Sequence, residues 1–347
     1  MTIGRFLLLL SASLVAIIGA MYLSSLRHLD RDPRGQSLLP GLDAQLDDVA
    51  EIRLRKAGPA ATVTMHRATT GRWTVQERGD YPADLSKIRK LLLELADAKI
   101  IEEKTSNPAN YAILGVEGPT GPASSGVELS IITQGSTRTV IVGKPAGGGS
   151  FVRRGGAAQS FVIEPPIAVE SDVRDWIDQA LLSIPVDKIH SVRVQLADGS
   201  GYSISRQPSA AAPGATAPGS FTLDAVPKGR EAAEPATIAP SPTSYTGVTA
   251  DDVAAAAGID FSMPSTCDIK LLDGSTYTLS GTVAADKHWL KATASKDDAL
   301  NSRARERAFE VAAYRYDAIF RPLEQLLKPK PAKSPSAAAA KKPAGAH

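Results

Sequence analysis

What the chain lacks narrows it first. Among 347 residues there is one cysteine, Cys267, so an internal disulfide and any multi-cysteine metal cluster are excluded. That scarcity leaves the compartment open. An excess of one charge is missing too: 39 Lys and Arg stand against 37 Asp and Glu. Five of the lysines fall in the last twenty residues, "KPKPAKSPSAAAAKKPAGAH", and without them the rest of the chain is net negative. A basic face for nucleic acid is therefore not indicated. The histidines, His28, His66, His190, His288 and His347, nowhere take the H-x₃-H or H-E-x-x-H spacing of a metal site. There is no G-x-S-x-G to raise a serine nucleophile and no G-x-x-x-x-G-K-[ST] to cradle phosphate.

The segments that imitate such motifs have plainer readings. In "GKPAGGGS", Gly143 to Ser150, the lysine precedes the glycines and the stretch links two strands, as a hairpin does. "GPTGPASSG", Gly118 to Gly126, reads as a loop. The adjacent acids Asp47/Asp48 and Asp251/Asp252 diverge on any regular backbone, so they read as surface charge and caps. His66 is expected to face solvent, and His190 and His288 to be structural. Trp73, Trp176 and Trp289 sit at regular strand or helix positions, where packing is the default. "YPAD" at Tyr81 is the best exposed candidate for partner contact, although Pro82 and Asp84 also suit a helix start. No catalytic, cofactor-binding or metal-binding residue is expected, and no cofactor.

What is present is a long apolar run and a repeat. "FLLLLSASLVAIIGAMYL", Phe6 to Leu23, is uncharged and long enough to cross the ~30 Å hydrocarbon core as a helix. A cleaved signal peptide is the competing reading, with "IGA" ending at Ala20. The arginine count, Arg5 before the run and Arg27, Arg31 and Arg34 after it, does not favour an exported body.

"DGSTYTLSG", Asp273 to Gly281, rewrites "QGSTRTVIVG", Gln134 to Gly143, about 140 positions later. "VELSII" from Val127 matches "CDIKLL" from Cys267, with apolar residues alternating as in half-buried strands. "AEIRLR" from Ala50 matches "HSVRVQ" from His190, and "SFVRR" from Ser150 matches "HWLKA" from His288. "GRWTV" at Gly71 pairs with "GSFTL" at Gly219 across an insertion. One order and nearly one offset held at several places mean a duplicated domain. On this alignment Cys267 takes the inward place of Val127 and is a buried, inert thiol.

The fold class expected is α+β: two pseudo-repeated lobes of mainly antiparallel sheet with helices, after one N-terminal transmembrane helix. The boundaries are 1–27 for the anchor, 28–46 for a linker, 47–186 and 187–327 for the lobes, and 328–347 for a disordered Lys/Pro/Ala tail. Helices are expected at 83–98, with Asp84 as cap, and at 171–182 and 316–327, with a strand at 308–313. "TADD", Thr249 to Asp252, reads as a capping box opening the first helix of the second lobe. The Pro/Ala-rich insertions 207–219 and 227–244 read as mobile loops.

"GQSLLPGLDAQLDDVAEIRL", "GRWTVQERGDYPADLSKIRKLLLELADAKIIEEKTSNPANYAILGV", "VGKPAGGGSFVRR" and "WIDQALLSIP" together resemble the domain of unknown function 4340 family. The resemblance is strong over Gly35 to Leu182 and weak in the second copy. It implies a bacterial protein with one N-terminal membrane segment and a body in the periplasm, and it favours that orientation over the arginine count. It also implies proximity to ABC-type exporter and gliding-motility-associated components, and it carries no catalytic residues with it. The function expected is a non-catalytic, membrane-anchored periplasmic accessory or binding subunit of an ABC-type transport or envelope assembly. The partners expected are the inner membrane, an ABC-type permease or ATPase and auxiliary envelope proteins, without nucleic acid. A cell-wall-binding scaffold and an unrecognised envelope hydrolase are the alternatives.

Overall fold

The computed structural model describes residues 33–58, 62–207, 220–238 and 240–329. The expected anchor, most of insertion 207–219 and the tail from 330 onward lie outside the described residues. Among the described residues no helix is long and apolar enough to cross a membrane. The chain divides between Ile177 and Asp178 into two compact units.

The first unit is a nine-stranded antiparallel sheet. Its strands are β1 (Val49–Arg55), β2 (Thr62–Arg67), β3 (Trp73–Val75), β4 (Tyr81–Pro82), β5 (Lys99–Glu103), β6 (Val127–Thr133), β7 (Thr137–Ala146), β8 (Gly149–Arg154) and β9 (Ser160–Glu164). They lie in the order β4-β3-β2-β1-β6-β7-β8-β9-β5. The second unit opens with β10 (Ala180–Leu182), β11 (Ile189–Gln195), β12 (Gly201–Arg206) and β13 (Phe221–Leu223). It continues with β14 (Val248–Thr249), β15 (Asp252–Ala255), β16 (Ser265–Leu271), β17 (Thr276–Ala284), β18 (Lys287–Ala294) and β19 (Arg307–Val311). Its main sheet runs β13-β12-β11-β16-β17-β18-β19-β15. With β4 set aside, the two orders coincide strand for strand, and the duplication is a property of the fold.

The likeness reaches the register. β1 buries Val49, Ile52 and Leu54, and β11 buries Ile189, Val192 and Val194. Each strand slips its register against its neighbour after the first of these residues, between Val49 and Glu51 and between Ile189 and Ser191. Such a bulge re-aims the strand, so the same side-chain set faces the core in both units. Arg67 and Arg206 end their strands alike. The first donates to Asp47 O at 2.8 Å, and the second to Ile189 O at 2.8 Å and to Val186 O. Each stands opposite an aromatic, Trp73 or Phe221. The register also corrects the place of Cys267. It faces Val194 as Leu129 faces Leu54, so it replaces Leu129 rather than Val127.

Both units begin earlier than the sequence boundaries put them. Leu38 N–H donates to Ala98 O at 2.8 Å and Ser37 opposes Lys99, so the segment assigned to a linker adds to the outer edge of β5. In the second unit β10 does the same against β14. Residues 171–182 therefore form no helix: a 3₁₀ turn at Val173–Asp175 precedes β10. The two halves of that segment are held by strand bridges, Ala83 to Ile177 and Ala180 to Thr249. Those bridges occupy backbone groups that a helix would need for itself.

Helix α1 (Leu85–Asp97) forms as expected, burying Ile88, Leu91, Leu92 and Leu95. The Asp84 carboxylate accepts the Ser86 and Lys87 N–H groups. Although partial burial works against it, these hydrogen bonds hold its pKa below the ordinary value. A one-turn helix, α2 (Tyr111–Leu114), follows. In the second unit the capping-box reading of Thr249–Asp252 fails, because Thr249 ends β14 and Asp252 begins β15. The place of α1 is taken by α3 (Pro235–Ile238) and α4 (Pro240–Thr243). The insertion 227–244 is accordingly folded: Ile238 is buried, Ala232 bridges to Leu327, and Arg230 pairs with Glu324 at 2.8 Å. After α5 (Asp298–Ala304) and β19, α6 spans Ala313–Ile319 only, and a 3₁₀ turn at Leu323–Leu326 replaces the rest of the expected helix. Pro322, with no N–H to continue the ladder, stands at the break.

Gly281 faces Leu290 where Val142 faces Val152 in the first unit. A Cβ on Gly281 would lie 2.1 Å from Phe320 Cε2 and 2.7 Å from Tyr316 Cε2, so the glycine is what lets α6 lie on the sheet. Gly281→Val is expected to destabilise the second unit by about 1–3 kcal/mol in urea unfolding. Adding Phe320→Ala is expected to make the double variant less unstable than the sum of the two, as coupled neighbours require.

Candidate functional site

The residues weighed from sequence do not converge. His66 Nε2 lies 3.1 Å from Thr74 Oγ1 and 3.4 Å from Asp80 Oδ1. Both contacts fall on one ring nitrogen, whereas a relay needs the nucleophile and the acid on opposite nitrogens. His190 is exposed on β11, and His288 stacks against Tyr316 with centroids 5.0 Å apart. Among the described residues no group of three His, Cys, Asp or Glu side chains is placed to hold a metal ion. Asp47 closes a 3₁₀ turn, and Asp252 folds back on its own strand to accept Val253 N–H. Lys144 donates to Ile113 O at 2.9 Å, capping the end of α2, and the neighbouring glycines serve packing. A Cβ on Gly143 would meet Leu114 O at 2.4 Å and one on Gly149 would meet Ile163 O at 2.1 Å. Tyr81 is fully buried, which corrects its reading as an exposed contact: the turn it starts is strand β4, packed inward. The three tryptophans are buried as well. Burial pushes the Cys267 thiol up to about 12, and its Sγ–H donates to Tyr245 Oη at 3.3 Å.

One feature with room for a ligand lies where the two copies differ. In the first unit β8 and β9 stay paired through Arg153 and Ser160, and the connection is short, 155–159. In the second, the β18–β19 ladder stops at Leu290 opposite Phe309, and the connection 295–306 carries α5. β18 nevertheless runs on to Ala294, held on its other side by β17. Past Leu290 the ladder pairing with β19 stops, although β19 itself runs on through Ala308 to Arg307, paired there with β15. Asn301, from α5, supplies the missing partner at one position: its Oδ1 accepts Ala294 N–H at 2.8 Å and its Nδ2 donates to Ala294 O at 2.7 Å. A side-chain amide thus stands in for a strand.

Ala292, between these two positions, is buried. Antiparallel strands direct alternate residues to alternate sides, so Leu290, Ala292 and Ala294 send their N–H and C=O the same way. Ser295 N–H, of the opposite parity, donates to Thr276 O in the β17 direction at 2.9 Å, which fixes the assignment. The gap opens into a cleft of about 960 Å³. Ala255, Ala256, Ala257 and Ala292 line it with small side chains; Lys291, Arg305 and Arg307 bring positive charge, and Asp298 and Glu306 negative. Lys291 is engaged, with Nζ 4.0 Å from the Phe261 ring centre. Arg305 is exposed, and among the described residues no hydrogen bond or ion pair holds it. Glu306, where the chain re-enters the sheet, has φ 58°, a left-handed conformation that a non-glycine residue adopts at a cost. Sequence reading missed this site because its signal was a length difference between the repeats, with no motif attached.

A family model described as "Domain of unknown function (DUF4340)" matches residues 73–239. Over that stretch the chain belongs to the DUF4340 family. The DUF4340 match begins at β3 and runs through β13 into the folded insertion, so it includes the junction at Ile177 and Asp178. The cleft, built from residues 255–307, lies beyond it. No curated protein and no solved structure matches the chain.

Asn301→Ala is expected to leave the Ala294 peptide without its partner and to cost about 1–3 kcal/mol. The Ala294 amide should lose hydrogen-exchange protection, while that of Leu290, still paired with Phe309, is kept.

Proposed function

We propose that the protein is a non-catalytic, membrane-anchored binding subunit of an envelope assembly. The run Phe6–Leu23 holds it in the inner membrane and the two sheet units work in the periplasm. The observation that carries this reading is the cleft at the interrupted β18–β19 ladder. It is of ligand size, it combines a small apolar floor with polar and cationic groups, and it exists in one copy of a duplicated fold where the other copy is closed. Divergence between copies at one open place is what a gained binding role would leave. The DUF4340 resemblance implies proximity to ABC-type exporter components, and an ABC-type permease or ATPase is the partner class proposed.

In-cell crosslinking of the full-length protein, followed by mild-detergent purification and mass spectrometry, tests this. Recovery of a transport permease or ATPase is expected. Recovery of the protein alone, or with cell-wall fragments only, overturns the transport assignment in favour of a scaffold.

A further inference from the structure

The first unit carries a groove of its own, of about 340 Å³. One flank of α1 lines it, together with Trp73 of β3 and with Leu46 and Asp47 of the 3₁₀ turn before β1. Trp73, Ile88 and Leu92 are buried, whereas Leu85 and Leu93 are 41% and 54% exposed and leave apolar surface facing water. These two leucines stand eight residues apart, about 12 Å along the helix. Arg89 lies midway on the same side, at the i+4 position. The three cations of α1 are not alike. Lys87 Nζ donates to Asp175 O at 2.6 Å, and Lys90 Nζ lies 3.9 Å from Glu94 Oε1. Arg89 is exposed, and among the described residues no hydrogen bond or ion pair holds it. Arg67, the other cation of the groove, donates to Asp47 O.

We propose that this groove docks an amphipathic helical segment of a partner protein, whose apolar side chains cover Leu85 and Leu93 and whose acidic side chain between them pairs with Arg89. The site lies in the first unit and uses no residue of the cleft, so the inference goes beyond the binding role proposed above. A helix repeats side chains at the spacing that α1 presents, and a helix laid in an apolar groove is a recurring mode of recognition. The charge follows from the lining, which holds two arginines against the one acid Asp47, with Arg89 left to pair. A second copy is a poor occupant. Two-fold pairing of the line Leu85, Arg89, Leu93 with itself would set Arg89 against its mate, like charge on like.

The test uses the detergent-solubilised full-length protein, immobilised and offered a display library of random helix-stabilised peptides. Enriched peptides are expected to carry an acidic residue with an apolar residue one turn to either side. Their affinity should fall by about tenfold or more in Leu93→Ser and in Arg89→Glu. Selection repeated on Arg89→Glu should return a basic residue in the place of the acid, a swap that a merely structural arginine would not produce. Both positions are exposed, so the variants are expected to fold, which circular dichroism and the thermal midpoint check. No enrichment, enrichment without the acidic residue, or unchanged affinity in either variant overturns the proposal. So does self-association of the purified protein that Leu93→Ser abolishes, since the occupant would then be a second copy. In nanodiscs of anionic lipid without peptide, burial of a fluorophore attached at Leu93→Cys overturns it too, since the occupant would then be the bilayer. None of these readouts involves the cleft or a transporter, so they decide the docking face whatever the crosslinking recovers.

Discussion

Every buried peptide group in an antiparallel sheet needs a partner, and the arrangement of this molecule follows from how that requirement is met at its edges. Within the sheets the ladders meet it. At the outer edge of β5 it is met by the leading segment, through Leu38 and Gln36, and at β14 by β10. At β2 the Glu77 carboxylate accepts Thr64 N–H at 2.9 Å, a side chain in place of a neighbouring strand. Asn301 does the same for Ala294.

Duplication gives that contrast its force. Shared strand order, a shared bulge at Val49 and Ile189, and a shared arginine clamp at Arg67 and Arg206 show that both units solve the same packing problem in the same way. Differences against such a background are informative. Gly281 in the place of Val142 makes room for α6, and the longer connection 295–306 opens the ladder beside β18. Glu306 holds a left-handed backbone at the mouth of that opening, where a glycine would be the easy choice. Local strain of this kind persists where surrounding structure fixes it.

Much of the architecture was legible in the residues. Period-two alternation marked β1, β6, β11 and β16, and the stripe Leu85, Ile88, Leu92, Leu95 with Asp84 before it marked α1, although Leu85 is exposed. Segments whose apolar spacing suits two structures were read wrongly. Trp176, Ile177 and Leu181 fit a helix face, yet Ile177 bridges to Ala83, and Ala180 and Leu182 on either side of Leu181 pair with β14. Pro/Ala-rich composition suggested mobility for 227–244, but Ile238 and Tyr245 anchor it in the core. Tyr81 looked exposed beside Pro82 and is buried. The cleft was beyond composition and motif, because it follows from a longer β18–β19 connection in one copy and its lining is scattered from residue 255 to 307.

The central claim is that the β18–β19 ladder ends at Leu290 and that the Asn301 amide takes the place of a strand at Ala294. Residue-resolved amide hydrogen exchange of the native protein measures it directly. Ala294 N–H, held by Asn301, is predicted to be protected to within about tenfold of Leu290 N–H, held by the ladder. Exchange of Ala294 at the rate of an unprotected amide would mean that the side-chain substitute is not formed, and would contradict the account.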